Sequence, residues 1–241
     1  MRIPIGRVIL LCTSILLACA TLLTPPSDPF FIPRQQFFDS VKTIVVTNVS
    51  VVDDTNVPDS ILTEIETLIG ATLQDADLTV VSATEYAEIW HRIADAAGGF
   101  FDPYTGERDE AAFQAAAERL RNELIERFDP DALLYPEIWE VDAPFSVGEA
   151  TWGGVRQRIV GGFGYSGDIV AATLLVTIQN LSGDELYSEE AGLQALEYMQ
   201  DGEFLRLNEE QLFSDSTLIP TAVSRTLNPL VHGRPAIHPE F

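Results

Sequence analysis

Apolar residues fall along this chain in distinct patterns, and each pattern predicts a different kind of segment. Val8 through Ala18 is an apolar run broken only by Thr13 and Ser14. At about eleven residues it is too short for a bilayer-spanning helix, which takes roughly twenty. Residues 20–38, ATLLTPPSDPFFIPRQQFF, have neither a helical nor an alternating period. They are rich in proline, which fixes φ and removes backbone donors, so they read as a tether.

From about Ser40 the pattern is that of a folded domain. Thr43–Val52 (TIVVTNVSVV) is rich in β-branched residues and predicts a strand. Asn56 or Asp59 then caps a helix to about Leu73, with Ile61, Leu62, Ile65, Leu68, Ile69 and Leu73 at helical spacing. Leu78–Val81 is a short strand, and Ser82-Ala-Thr-Glu85 has capping-box spacing that opens a second helix, ended by Gly98–Gly99. A loop, Phe100–Arg108, leads to a third helix near Asp109, with Phe113, Ala117, Leu120, Leu124 and Phe128 on one face and Asp129–Pro130 as its stop. Ala132–Val141 predicts a strand whose Pro136 implies an edge position or a bulge. Glu149–Gly161 and Asp168–Gln179 follow as longer strands, the second apolar on both faces and therefore central. After turn chemistry at residues 180–184, Glu185–Met199 returns as a paired strand. Asn208-Glu-Glu-Gln211 opens C-terminal helical material, interrupted at Pro220 and ending near Leu227. Residues 229–241, with three prolines and a glycine, read as a loose tail.

The order β-α-β-α-α-β-β-β-β-α predicts an α+β (α/β-like) domain over residues 40–228: a mixed sheet of about five to six strands with helices packed on it.

The N-terminal run gains meaning from its flanks. Arg2 and Arg7 precede it, and a positive start before a short apolar stretch is the layout of a secretory signal. The run ends in Leu16-Leu17-Ala18-Cys19, which resembles the lipobox of bacterial lipoproteins. That resemblance implies a signal peptide over residues 1–18, cleavage between Ala18 and Cys19, and lipidation of Cys19. Residues 19–39 then become a lipidated N-terminus and tether. An ordinary signal peptide with an incidental Cys19 is the plain alternative. Ala20 stands where an aspartate would resemble an inner-membrane retention signal, which points to the periplasmic face of the outer membrane. The phenylalanine pairs Phe30–Phe31 and Phe37–Phe38 are expected on the domain surface or near the lipid headgroups.

Cys12 would leave with the signal peptide and Cys19 would be a thioether, so no thiol remains for a disulfide or a thiolate metal site. The domain must then be held by its own core. The chain carries 37 acidic and 14 basic residues, a net charge of −23. Nucleic-acid binding and docking on anionic lipid through a polybasic face both need the opposite sign. Solubility accounts for the acidity; a cation-binding surface is the alternative.

Little else carries chemistry. Gly162-Phe-Gly164-Tyr-Ser-Gly167 matches G-x-G-x-x-G, but a strand-like segment follows where the dinucleotide fingerprint needs a helix, so a hairpin loop is expected. Residues 102–110 place oxygens around Gly106 without the spacing of an EF-hand loop, so they read as a turn feeding the Asp109 cap. Asp53-Asp54-Thr-Asn56 is likewise a strand-end turn. His91, His232 and His238 have no partner at zinc-ligand spacing, and no G-x-S-x-G elbow exists. Glu137 and Glu140 flank Trp139 on a predicted strand, where solvated or edge positions are expected. Gly153–Gly154 within a strand implies a bulge or the close approach of another backbone, with Trp152 packed on the core. With Tyr135 and Trp139, Trp152 could instead form an interaction surface.

The sequence of elements also resembles a family group. An IVV strand, a helix, a short strand, more helix and a strand opened by Asp131-Ala132-Leu133-Leu134 make the first half. VAATLLVTIQ, a turn at Leu181-Ser182-Gly183-Asp184 and ELYSEEA make the second. This is similar to periplasmic lipoproteins whose domain resembles the N-terminal domain of TolB and the curli secretion lipoprotein. The likeness would span residues 43–227 and departs from the group in the Phe100–Arg108 insertion and in lacking a pore-forming segment. It implies a non-enzymatic assembly or accessory role in the envelope, without a cofactor, acting through an envelope partner or self-association. The competing expectations are a carboxylate-based hydrolase of the cell envelope and a small-ligand carrier.

Overall fold

The computed structural model describes residues 28–52, 55–101 and 104–233. The signal segment, the Ala18–Cys19 bond, Asp53–Asp54, Asp102 and His238 lie outside the described residues. In chain order the elements are α1 (Arg34–Ser40), β1 (Thr43–Val46), β2 (Ser50–Val51), α2 (Asp59–Asp75), β3 (Thr79–Val81), α3 (Ala83–Ala97) and α4 (Glu110–Phe128). Then come β4 (Ala132–Ser146), β5 (Glu149–Trp152), β6 (Val155–Arg158), β7 (Ser166–Asn180), β8 (Glu185–Ala195), β9 (Glu197–Gln200), β10 (Glu203–Arg206) and α5 (Leu218–His232).

The fold is α+β with a mixed sheet, as the element order predicts. Among the described residues the main sheet has eight strands, and β9–β10 is a separate hairpin. The count exceeds five to six because two stretches that read as single strands are split within the main sheet, and a third is split so that its end leaves for the separate hairpin. Residues 47–49 break Thr43–Val52 into β1 and β2, a Gly153–Gly154 turn breaks Glu149–Gly161 into β5 and β6, and the chain leaves β8 at Leu196 to begin β9. β1 lies parallel to β3 and β4, while β4, β7 and β8 run antiparallel. β4 is therefore a central strand despite Pro136. Register runs Val46↔Leu134 and then Ser50↔Glu137, so three steps along β4 face four along the neighbouring chain. This is a bulge, and the ring that lacks an N–H sits opposite it, where no ladder donor is needed.

Helices cover both faces of the β1–β4 region. α1, α2 and α5 pack with Ile44, Val46, Leu134, Ile138, Leu174 and Val176 in the largest core. α3 and α4 pack with Val45, Val81 and Leu133 on the other side. Burial on both faces explains why Ile44-Val45-Val46 is uniformly apolar rather than alternating.

α3 and α4 start from local side-chain caps, whereas α2 starts after Pro58 with no side-chain cap, so neither Asn56 nor Asp59 caps it. Ser82 Oγ accepts from the Glu85 N–H at 3.3 Å, and Glu85 Oε2 accepts from the Ser82 N–H at 3.0 Å. Asp109 Oδ1 accepts from the Ala112 N–H at 3.0 Å to open α4. Asn208 and Gln211 make reciprocal capping bonds of 3.1 Å, but they close a turn rather than a helix. α5 begins later, at Leu218, so Pro220 falls in its first turn, where an N–H has no partner to lose, and does not interrupt it.

The packed body extends beyond both boundaries drawn from the sequence. α5 continues through Pro229 to His232, so the start of the expected tail is helix. At the other end, residues 28–40 are part of the core rather than tether. Phe31 N–H donates to the Leu186 carbonyl at 3.0 Å and Ser188 N–H to the Pro29 carbonyl at 2.9 Å, a short antiparallel addition to the edge of β8. Phe30, Phe37 and Phe38 are buried, with the Phe30 ring 5.2 Å from Phe37, 5.9 Å from Phe38 and 5.1 Å from Tyr187. Tyr187 donates from its buried hydroxyl to the Thr226 carbonyl and so ties this cluster to α5. Proline density makes the segment read as a tether without a period, but Arg34–Ser40 is helical, and Phe30, Phe37 and Phe38 carry enough apolar surface to bury it. Phe37→Ala is expected to cost about 3–5 kcal/mol in urea denaturation, whereas Phe31→Ala, on the exposed neighbour, should change stability by less than about 0.5 kcal/mol.

Candidate functional site

Three two-residue hairpin turns shape the distal half of the molecule. Val147–Gly148 joins β4 to β5, Gly153–Gly154 joins β5 to β6, and Asp201–Gly202 joins β9 to β10. In each, both central residues have positive φ: 53° and 84°, 46° and 73°, 53° and 87°. That is the turn type whose twist matches the flanking strands.

The β5–β6 hairpin folds back onto the β8–β9 segment. Gly192 N–H donates to the Gly153 carbonyl at 3.0 Å and Met199 N–H to the Val160 carbonyl at 2.9 Å. Ala195 N–H donates to Gln157 Oε1 at 2.8 Å between them. The strands β4, β5, β6, β8 and β7 thereby close around a second core of Phe145, Trp152, Ile159, Ile169 and Met199. Trp152 is buried and donates from Nε1 to the Ala172 carbonyl at 3.0 Å, so it is a core residue and not part of a surface. The glycine pair is a turn rather than a bulge, and the expected close approach is real: a Cβ on Gly153 would fall on the backbone of Gly192.

The carboxylates singled out by sequence are tied up or unpaired with one another. Glu140 accepts from Arg206 Nη1 at 2.9 Å and Nη2 at 2.6 Å, and also from the Thr55 hydroxyl. These bonds, the arginine first, hold its carboxyl below the usual range. Glu137 faces Ser50 Oγ at 3.5 Å. In an open cleft of about 950 Å³ between β8 and α5, burial first and the neighbouring Glu190 second push the Glu189 carboxyl up. Glu189 and Glu190, successive residues of β8, both line this cleft.

His91 is exposed on α3 and His232 ends α5. No three His, Cys, Asp or Glu side chains gather at metal-binding distance among the described residues. Gly162–Tyr165 lies in the connection from β6 to β7, with Ser166 and Gly167 already in β7; a strand follows, as predicted, but β6 and β7 do not pair, so the loop is not a hairpin. Cys19, the lipidation and cleavage residue read from sequence, lies outside the described residues with Ala18. None of the described helices is long and apolar enough to cross a membrane.

Sequence reasoning passed over one surface. Val147, Val160 and Phe163 are 70%, 74% and 83% exposed. They occupy the β4–β5 turn and the loop from β6 to β7, joined by a Val147 N–H bond to the Tyr165 carbonyl at 3.1 Å. Tyr165, Phe204 and Leu205 continue the patch, and the Phe204 ring stands edge-on to Phe145 at 5.9 Å. The signal becomes readable only once β4 is known to reach Ser146: a valine then precedes a glycine at a hairpin, where asparagine or aspartate is the usual residue.

No protein-family model matches the sequence, and no curated protein matches it. Among solved structures, the chain is similar to lipoprotein GNA1162 from Neisseria meningitidis at 16% identity, over 78% of this chain and 97% of that one, with a TM-score of 0.38. It is also similar to the PelC dodecamer from Paraburkholderia phytofirmans at 12% identity, over 85% of this chain and 93% of that one, with a TM-score of 0.36. Likenesses at this level assign neither a family nor a function.

Two expected outcomes follow from the geometry. Glu140→Gln is expected to cost about 1 kcal/mol at pH 7, because Arg206 is half exposed and solvent screens the pair. The native carboxyl titrates below its unfolded value of about 4.3, so the contribution is complete above that value and fades as pH falls through the native one. Urea denaturation of both proteins at pH 7 and pH 3 should show the gap closing in acid. Gly153→Ala meets both a positive φ and a backbone in its way; a loss of about 2–5 kcal/mol is expected in the same assay.

Proposed function

We propose that this chain is a lipid-anchored accessory or assembly protein of the bacterial cell envelope, cleaved between Ala18 and Cys19 and held by a diacylated Cys19 on the periplasmic face of the outer membrane. It works through protein–protein contacts, with an envelope partner or with further copies of itself, and without a cofactor. The resemblance of its strand pattern to the TolB N-terminal and curli-secretion-lipoprotein group belongs to the same reading.

The observation that carries the reading is the separation of two ends. The chain joins the body at Pro29–Phe31 beside Leu186–Ser188, near the Ile178 end of β7. Of the twelve large apolar residues exposed among the described residues, six (Val147, Val160, Phe163, Tyr165, Phe204 and Leu205) lie toward the opposite, Ser166 end. The rise of the intervening strand is roughly 40 Å. From Cys19 to Asp28 is nine residue steps, at most roughly 30 Å when fully extended. One end is thus suited to be tied down and the other to be presented. A contiguous exposed apolar patch on an otherwise acidic protein is the usual mark of an interaction site.

Intact-mass spectrometry of the membrane-extracted protein tests the anchor. A mass starting at Cys19 with acyl chains added, and absent from a Cys19→Ala protein, is the expected result. An unmodified chain in the soluble fraction would sink the reading.

A further inference from the structure

Acidic residues outnumber basic ones by 37 to 14 in this chain, so a guanidinium without a carboxylate is the exception. Arg34, Arg92, Arg108, Arg127 and Arg206 each meet one. Arg158 and Arg225 form neither an ion pair nor a hydrogen bond with another described residue, and both face the same cleft of about 520 Å³. One wall of this cleft is β6, the last strand of the main sheet, which supplies Arg156 and Arg158; α5 supplies Arg225 from the other. Contacts on both sides hold these groups in place. Gln157 Oε1 accepts from the Ala195 N–H at 2.8 Å and ties β6 to β8. The Arg225 guanidinium lies over Gly154, where a Cβ would fall 2.7 Å from Nη1.

The carboxylates nearby do not satisfy these donors. Asp215, the one acid among the described residues lining the cleft, accepts from the Thr217 N–H at 2.9 Å and from the Thr217 hydroxyl at 2.7 Å. Glu149 reaches Arg156 at 3.7 Å and not Arg158, its cross-strand neighbour. Glu189 and Glu190 share the adjoining cleft with Arg225 without pairing to it. The N–H forks of two arginines therefore stay open towards one cavity. We infer that Arg158 and Arg225, with Arg156 beside them, bind a phosphate monoester. A guanidinium fork matches two oxygens of a carboxylate or a phosphate at once. Two open forks on facing walls call for more oxygens than one carboxylate has. A phosphate monoester brings three and, near neutral pH, close to two charges. A free metabolite and a lipid headgroup both carry this group, and the chemistry that recognises it is the same. The site goes beyond the accessory role proposed above and does not rest on it.

Calorimetric titration of the full-length chain, held in zwitterionic lipid nanodiscs, with glycerol 3-phosphate tests the site. Saturable binding is expected near neutral pH, with Arg158→Gln and Arg225→Gln each weakening it at least tenfold. Arg119→Gln, which removes an unpaired arginine on α4, should leave it unchanged. Arg158 and Arg225 are exposed, so both variants should keep the urea midpoint of the original, which separates lost binding from lost folding. Cleft variants that bind like the original, or an Arg119→Gln protein that loses binding equally, would overturn the inference. So would a failure to bind both glycerol 3-phosphate and phosphatidic-acid vesicles. Succinate binding as tightly as glycerol 3-phosphate would overturn the choice of phosphate. Binding to phosphatidic-acid vesicles that depends on Arg158 and Arg225, without binding of glycerol 3-phosphate, would assign the phosphate to a headgroup; the reverse would assign it to a free ester. None of these outcomes depends on whether Cys19 is acylated, so the anchor and the cleft stand or fall separately.

Discussion

The pairing of β4 with β7 is the constraint on which the rest of this structure depends. Fifteen residues of each strand are matched, from Ala132↔Asn180 to Ser146↔Ser166, without a register shift. Because side chains alternate along a strand, one fixed register commits every residue of both strands to a face at once. It places Leu134, Ile138, Leu174 and Val176 in the core under α2 and α5, and Phe145 and Ile169 in the second core further along. A slip of one residue would expose both sets together.

From that ladder the two halves of the protein are organised differently. Near the Asn180 end, β1 and β3 extend the sheet in parallel and helices cover both faces, so stability there comes from ordinary layered burial. Toward the Ser166 end no helix pair is available on the second face. The chain instead turns back through β5 and β6 and seals the strands against β8 and β9 with bonds at Gly153 and Val160. Two neighbouring glycines make this closure possible, one by its turn conformation and one by letting Gly192 come close. The closed end leaves its connecting loops projecting, and Val147, Val160 and Phe163 are exposed on them.

The acidic composition has a structural counterpart. Most of the arginines that are paired meet a carboxylate at or near the surface, as Arg92 and Arg127 both do at Glu123. Such exposed pairs contribute little to stability. Glu140 with Arg206 is the more enclosed case: it links β4 to the β9–β10 hairpin, while the Thr55 hydroxyl brings in the segment before α2. Burial of apolar surface, not ion pairing, holds the fold.

The sequence by itself determined the elements whose cause is local. Ser82 and Glu85 cap α3, Asp109 caps α4, Asp129–Pro130 ends it, and the doubly apolar run of β7 makes it central, all because neighbours in the chain supply the chemistry. Leu16-Leu17-Ala18-Cys19 is the one site residue set that sequence reading could name, and it lies outside the described residues. What only the tertiary structure decided depends on distant residues. Phe30 and Phe37 look like part of a tether until Tyr187, far along the chain, provides their pocket. Pro136 reads as an edge signal until a bulge in the neighbouring strand makes its missing donor harmless. Val147 is an ordinary valine in sequence; its strain and exposure exist because the β4–β7 register and the closure of the β5–β6 hairpin leave a two-residue turn there, and neither pairing is encoded within reach of that residue.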